Sequence, residues 1–410
     1  MNAEDIQQAV IDSVSPEWRH DPYRAYEVLR AAGPFVPGPL GTRLVPSHRE
    51  AEAIMQDSRW SHAEESELLH PDSGVELPGS FLWMEPPDHT RLRGLVSKAF
   101  TARTVEGLRG RAEHLVEDLF DKILAQGEVD LLESLAYPLP LTLVCELLGV
   151  PAEEHEAVRQ MSGAIARGLD PDLLLSPAEL DARTRAVHEF NAFFGDLADR
   201  RRAEPRDDLI TALVQAEAAG VRMTPVELLG TLLILVVAGH ETTVNLIANG
   251  VLALIRDPAE FDRLRADPGL AVSAADEILR YDAPVHLTTR TAREELTVSG
   301  QTFAPGDAVI VLLASANRDP AAFPDPDRLD LGRYAPGRRA GRHLSFGLGL
   351  HYCLGAPLAR LEMEVTLRAI ARRVSSFTLR QDPPPYRPNL VVRGVSELHV
   401  HIRGHREDPS

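Results

Sequence analysis

The stretch that decides the reading is Phe346-Gly347-Leu348-Gly349-Leu350-His351-Tyr352-Cys353-Leu354-Gly355. Three glycines within nine positions mean a backbone with positive φ angles, or one with something pressed close against it. A run with helical spacing, Pro357 to Ile370, starts just after the cysteine, and a helix N-terminus stabilises a thiolate. A cysteine in a reducing compartment is ordinarily a small buried hydrophobe. Here it sits in a loop suited to present a sulfur anion, with backbone N–H groups nearby, to a bulky flat or metallic ligand.

Two other chemistries fail on spacing. Gly347-Leu348-Gly349 would need a third glycine at 352 to make a dinucleotide loop, and that residue is tyrosine. His240-Glu241 would need a histidine at 244 to make a zinc-protease helix, and that residue is valine.

The chain around the loop has 410 residues, 44% apolar and 25% charged, which suits a globular protein with a sizeable core. No Gly/Ser/Pro linker divides it, so a single domain over 1–410 is expected. Two cysteines, Cys145 and Cys353, cannot build a disulfide framework, and the start MNAEDIQQAV is too polar for a signal peptide. A cytoplasmic location is expected. The longest apolar stretch, Leu228 to Ala238, falls short of the roughly 18 residues of a membrane span, so no anchor is expected. A net charge of −18 disfavours nucleic acid and anionic membranes as partners.

Apolar residues at three- and four-residue spacing predict helices around Ala53 to Met55, over Val105 to Ala125 and over Leu141 to Leu148. Alternating and β-branched runs place the β-richer parts near 35–45, 296–313 and 377–402, with turn signals at Ser299-Gly300 and Pro305-Gly306-Asp307. The fold class is therefore mostly α with small β-sheets (α+β). The clearest helix begins at Thr224-Pro225-Val226-Glu227, a capping box with proline at the first helical position, and runs to about Ile255. It is apolar around nearly its whole circumference early on, yet its middle reads Ala238-Gly239-His240-Glu241-Thr242-Thr243, placing polar groups in buried territory.

The cysteine segment resembles the haem-binding loop FxxGxxxCxG of the cytochromes P-450, and it matches the stricter bacterial form FGxGxHxCxG at every fixed position. That resemblance implies the cytochrome P-450 fold, with the long helix passing over a haem b. It implies Cys353 as axial thiolate to the iron, a ligand that favours O–O cleavage. It also places Phe346, Gly347, His351 and Gly355 around the cofactor. Further along, Glu277-Ile278-Leu279-Arg280 matches the family's ExxR element, and Asn317-Arg318-Asp319-Pro320, Phe323, Pro326 and Arg333 match the stretch before the loop. Glu277, Arg280 and Arg333 would form a structural network.

Haem carries two propionates, so cations should converge on it. His89 and Arg93, four apart in Glu85-Pro86-Pro87-Asp88-His89-Thr90-Arg91-Leu92-Arg93, would share a helix face. By resemblance, Arg290 and His351 would supply the other two propionate contacts. Ala238-Gly239-His240-Glu241-Thr242 resembles the oxygen-activation motif (A/G)GxET. There Gly239 would let the helix pass close over the haem, Thr242 would organise hydrogen bonds and Glu241 would relay protons from solvent. The bland alternative is a helix kink with the Thr242 hydroxyl bonded back to the preceding turn.

From Leu331 to Leu361 there is no acid but five arginines: Arg333, Arg338, Arg339, Arg342 and Arg360. This fits a basic docking patch for an acidic ferredoxin, with Lys98 and Arg103 contributing, and equally a loop that merely keeps carboxylates from a thiolate. The chain contains no flavin or iron–sulfur segment, so ferredoxin and ferredoxin reductase are expected as separate partners. The expected state is a monomer. The resemblance draws the substrate pocket from about Trp60 to Trp83, Met161 to Leu180, Leu235 to Thr242, Val285 to Thr289 and Val395-Ser396-Glu397. One of Glu64, Glu65, Glu67 and Glu76 would attract a cationic substrate group. The expected activity is O2- and NAD(P)H-dependent monooxygenation, hydroxylating or epoxidising a hydrophobic small molecule such as a polyketide, terpenoid or peptide. Oxidative coupling, peroxide-driven oxidation and a non-catalytic haem sensor or carrier are the rivals.

Overall fold

The structure, a computed structural model, describes residues 2–62, 69, 80–218 and 223–404. Glu64, Glu65, Glu67 and Glu76 lie outside the described residues. The chain divides into two compact units. One comprises Met1–Trp60, Arg109–Leu139 and Thr243–Ser410, and the other Ser61–Leu108 and Pro140–Thr242.

The first unit mixes helices with small sheets built from segments distant in sequence. In the largest sheet the order is Val36–Pro37, Arg43–Val45, Ala308–Val311, Thr288–Ala292 and a short strand starting at Trp60. Val36–Pro37 and Arg43–Val45 pair as a hairpin, whereas Arg43–Val45 runs parallel to Ala308–Val311 with Leu44 opposite Ile310. Along Ala308–Val311 alternate residues are buried, as β geometry requires: Val309 and Val311 are both 0% exposed. A second sheet orders Glu128–Asp130, His399–Gly404 and Val374–Leu379. The turn expected at Ser299-Gly300 joins Leu296–Val298 to Gln301–Phe303, with both residues at positive φ, 46° and 81°. The strands Thr288–Ala292 and Glu128–Asp130 lie outside the expected β-richer parts; each is five residues or fewer, too short to show a period.

The second unit is helical. Its helices include Asp88–Val96, His155–Arg167 and Pro177–Ala203, and most of Pro138–Leu148. Phe190 and Phe194, one helical turn apart, stack with ring centroids 4.2 Å apart in its interior.

The long helix runs Pro225–Arg256 and carries the expected capping box: Thr224 N–H donates to Glu227 Oε2 at 2.7 Å, and Glu227 N–H to Thr224 Oγ1 at 3.2 Å. Its length and hydropathy would allow a membrane span, but 83% of its apolar window is buried inside the protein, as in a core helix. The helix expected over Val105 to Ala125 is instead two, Ala102–Gly107 and Arg109–Gln126, broken at Leu108. Gly107 and Gly110 flank the break, and each weakens a helix interior by roughly 1 kcal/mol.

Candidate functional site

The cysteine loop belongs to the first unit. Its backbone doubles back on itself: Gly347 N–H donates to Leu344 O at 2.8 Å, and Cys353 N–H to Phe346 O at 2.9 Å. Gly347 and Gly349 adopt φ of 64° and 66°, the left-handed region that glycine tolerates. Gly349 is required twice over, since a Cβ there would stand 2.5 Å from the Met55 carbonyl oxygen. Gly355 differs: its φ is −79°, and the nearest atom to an added Cβ would be Cys353 Sγ at 3.9 Å. Gly355 caps the helix Ala356–Arg373, so the half-buried Cys353 side chain stands two residues before that helix's N-cap. The helix N-terminus contributes partial positive charge there.

Behind the loop lies a polar cluster that sequence reading missed. His343 Nε2 and Arg360 Nε both reach Asp276 Oδ1, at 2.9 and 2.7 Å. The Arg360 guanidinium stands 4.6 Å over the Phe346 ring, whose residue accepts the Cys353 N–H. Burial pushes the Asp276 carboxyl up, but His343 and Arg360 outweigh it and hold it below its ordinary range. Burial also lowers the His343 imidazole, against the pull of Asp276.

Glu277, Arg280 and Arg333 come together in the same unit. Arg280 donates from Nε and Nη2 to both Glu277 oxygens at 2.8 Å each, and Arg333 Nε reaches them at 3.1 and 3.0 Å. The remaining guanidinium N–H groups go to the carbonyls of Asn317, Pro326, Arg328, Pro324 and Asp325. Glu277 and Arg280 are fully buried.

The five arginines expected to make one basic patch therefore divide. Arg333 is buried on Glu277, and the half-buried Arg360 is paired with Asp276. Arg338, Arg339 and Arg342 remain exposed, with Arg338 already paired to Asp330 at 3.2 Å. Arg290 lies in the strand Thr288–Ala292, 5% exposed, with Nη1 on Thr288 Oγ1 at 3.0 Å and Thr289 O at 2.6 Å. His351 is half-buried in the turn Gly349–His351.

The second unit holds the other predicted residues. His89 and Arg93 share the helix Asp88–Val96, with His89 fully buried and Arg93 half-buried. Burial lowers the His89 imidazole, and the Arg93 charge lowers it further against Glu85, so His89 is held toward its neutral form and Arg93 carries the positive charge of the pair. On the long helix, Val236, Val237, His240 and Glu241 are buried, yet Ala238 among them is exposed and Thr242 half-buried. The helix thus faces open space at that turn. Thr242 Oγ1 donates to Ala238 O at 2.7 Å, the bond back to the preceding turn, which leaves its oxygen lone pairs as acceptors. Gly239 faces elsewhere: a Cβ on it would meet Val144 Cγ2 at 3.2 Å, so within this unit its bareness serves contact with the helix Pro138–Leu148.

A mostly helical chain that raises a cysteine on a glycine-rich loop at the head of a helix defines a class of thiolate-presenting proteins. Comparison with known proteins makes the class specific. The family model "Cytochrome P450" matches residues 45–272 and 270–400. The chain is 40% identical over 408 residues to cytochrome P450 monooxygenase PikC of Streptomyces venezuelae, covering 97% of this chain and 95% of that one. It is 35% identical over 370 residues to the polyketide biosynthesis cytochrome P450 PksS of Bacillus subtilis, covering 88% of each. The crystal structure of Mycobacterium smegmatis CYP164A2 superposes with a TM-score of 0.88 at 38% identity, covering 96% of this chain and all of that one. The chain belongs to the cytochrome P450 family. It is an oxidoreductase, a monooxygenase, and its family implies a haem-thiolate iron cofactor.

The residues present fit such a group. A soft sulfur ligand is lifted at a helix N-terminus, and no side chain at position 355 crowds it. Arginines at least half-buried occur in each unit, Arg290 in one and Arg93 beside the buried His89 in the other. The long helix opens onto space at Ala238 and Thr242.

Proposed function

We propose that the chain is a ferredoxin-driven monooxygenase in which Cys353 holds the haem iron, acting on a hydrophobic small molecule of the polyketide kind. The observation that carries this is the cysteine loop. Two left-handed glycines and the Phe346 O to Cys353 N–H bond fix the sulfur beside a helix N-terminus. When bound, the haem supplies dioxygen activation through its thiolate-ligated iron.

The chain's own residues would do the rest. Arg290 and His351 in one unit, and His89 and Arg93 in the other, are the candidates to neutralise the propionates. Phe346 and Gly355 would flank the sulfur, and Ala238 would lie near the cofactor, whereas Gly239 packs against Val144 instead. Thr242 spends its hydroxyl proton on Ala238 O, so it is poised to accept a hydrogen bond and orient a neighbouring donor. Glu241, 2% exposed and next along the helix, would hold the proton that donor needs. The substrate class is taken from the likeness to PksS, whose name places it in polyketide biosynthesis.

Reconstitution with ferredoxin, ferredoxin reductase and NADPH against a panel of polyketide macrolactones tests the reading. Incorporation of one oxygen atom from 18O2 is expected. Product formation with peroxide alone, dimeric products lacking 18O, or no turnover with any electron source would overturn it.

A further inference from the structure

The polar middle of the long helix contains one residue that the relay reading leaves idle. His240 is fully buried, beside Glu241 at 2% exposure. Adjacent residues on a helix point about 100° apart and do not ordinarily meet. Here His240 Nε2 comes within 3.4 Å of Glu241 Oε1 and 3.2 Å of Ser162 Oγ on the helix His155–Arg167.

The proton inventory of this contact is constrained. His240 Nδ1 stands 2.9 Å from Val236 O, which can only accept, so Nδ1 carries a hydrogen. The single Ser162 hydroxyl proton has Arg159 O, at 3.0 Å, nearer than His240 Nε2, at 3.2 Å, and placed on Arg159 O it leaves Nε2 without a donor. An imidazole with hydrogen on Nδ1 alone and an ionised carboxylate would then oppose lone pair to lone pair in a buried site. One added proton resolves the conflict, on either atom: an imidazolium facing a carboxylate, or an imidazole accepting from a carboxylic acid. Both forms have no net charge, which suits burial.

We infer that His240 and Glu241 share one proton as a unit, and that His240 is a positioning residue that keeps Glu241 loaded and reloads it after each transfer. The transfer is balanced: the shared proton leaves from Glu241 Oε1, the pair remains as a carboxylate facing a neutral imidazole, and one proton from solvent, taken up at His240 Nε2, restores the shared state. This rests on the proposal that Glu241 relays protons.

The test needs no substrate. Oxygen uptake by the holoenzyme with reduced ferredoxin, its reductase and NADPH is followed in H2O and D2O, for wild type, E241Q and H240Q. The amide of H240Q can still donate to Glu241 but cannot carry the proton. The expected result is a fall of about 10-fold or more in E241Q, and a fall of about 3- to 10-fold in H240Q with a larger solvent isotope effect. Wild-type uptake and isotope effect in H240Q, with E241Q slowed, would overturn the shared proton and leave the relay standing. Wild-type uptake in E241Q would overturn the relay and the inference with it. A second measurement stands even if H240Q fails to fold: 15N spectra of histidine-labelled wild-type holoenzyme in its diamagnetic ferrous carbon monoxide form. A fully buried histidine with hydrogen on Nδ1, and Nε2 either protonated or strongly hydrogen-bonded, is expected. A neutral ring protonated only at Nε2 would overturn the inference.

Discussion

Arg280 grips both oxygens of Glu277 from three residues away, with neither side chain exposed to solvent. Bidentate guanidinium–carboxylate pairing adds geometric specificity to charge, and Arg333 closes on the same carboxylate from 56 residues further on. The carboxylate therefore ties the helix Ala271–Tyr281 to the segment that precedes the cysteine loop.

Glu277→Gln should consequently cost about 3–5 kcal/mol, because two buried guanidinium groups lose their counter-charge. Denaturant unfolding of wild type and variant measures it. A loss below about 1 kcal/mol would mean that the backbone carbonyls alone satisfy both arginines.

The loop glycines should separate cleanly. Gly349→Ala forces a Cβ to 2.5 Å from a backbone oxygen at φ 66° and should lower the yield and melting temperature of folded protein. Gly355→Ala meets only sulfur at 3.9 Å, so its effect on stability should stay within about 1 kcal/mol. If Gly355→Ala nonetheless lowers haem content, the space in front of Cys353 Sγ is the cofactor's. Equal stability for the two variants would contradict the backbone account.

Much of this was legible in advance, for reasons particular to each segment. Thr224, Pro225 and Glu227 announce a helix start because capping is local chemistry, and the structure begins the helix at Pro225. The glycine spacing around Cys353 likewise encodes a local backbone path. What stayed hidden depends on distant partners. Nothing near Arg360 shows that Asp276, 84 positions earlier, pairs with it. Nothing near His240 points to Ser162, 78 positions earlier. The motif Ala238-Gly239-His240-Glu241-Thr242 leaves its third position open, so the only local signal of a role for His240 is that it adjoins an acid in an apolar helix. Sheet pairing such as Leu44 with Ile310 is similarly non-local.

Glu362, on the helix that follows the cysteine, offers a pH-dependent prediction. It is 1% exposed, its Oε2 lacks a hydrogen-bond partner among the described residues, and burial alone raises its carboxyl well above the ordinary 4.5. The folded state therefore keeps a proton that the unfolded state releases. Stability from this group is fully present below pH 4.5 and is lost as pH rises through the folded value. Glu362→Gln keeps the shape without the titration. It should be more stable than wild type at neutral pH, with a flatter fall in stability above pH 4.5, as measured by denaturant midpoints across pH. An identical pH profile for both proteins would show that Glu362 is ionised in the folded state.

The central claim is that Cys353 ligates the haem iron. The most direct measurement is the difference spectrum of the dithionite-reduced holoenzyme with and without carbon monoxide, for wild type and Cys353→Ser. A Soret band strongly red-shifted from that of histidine-ligated haem, present in wild type and lost in the variant, is the predicted result. A histidine-type band in correctly folded wild type, or a red-shifted band that survives Cys353→Ser, would contradict it.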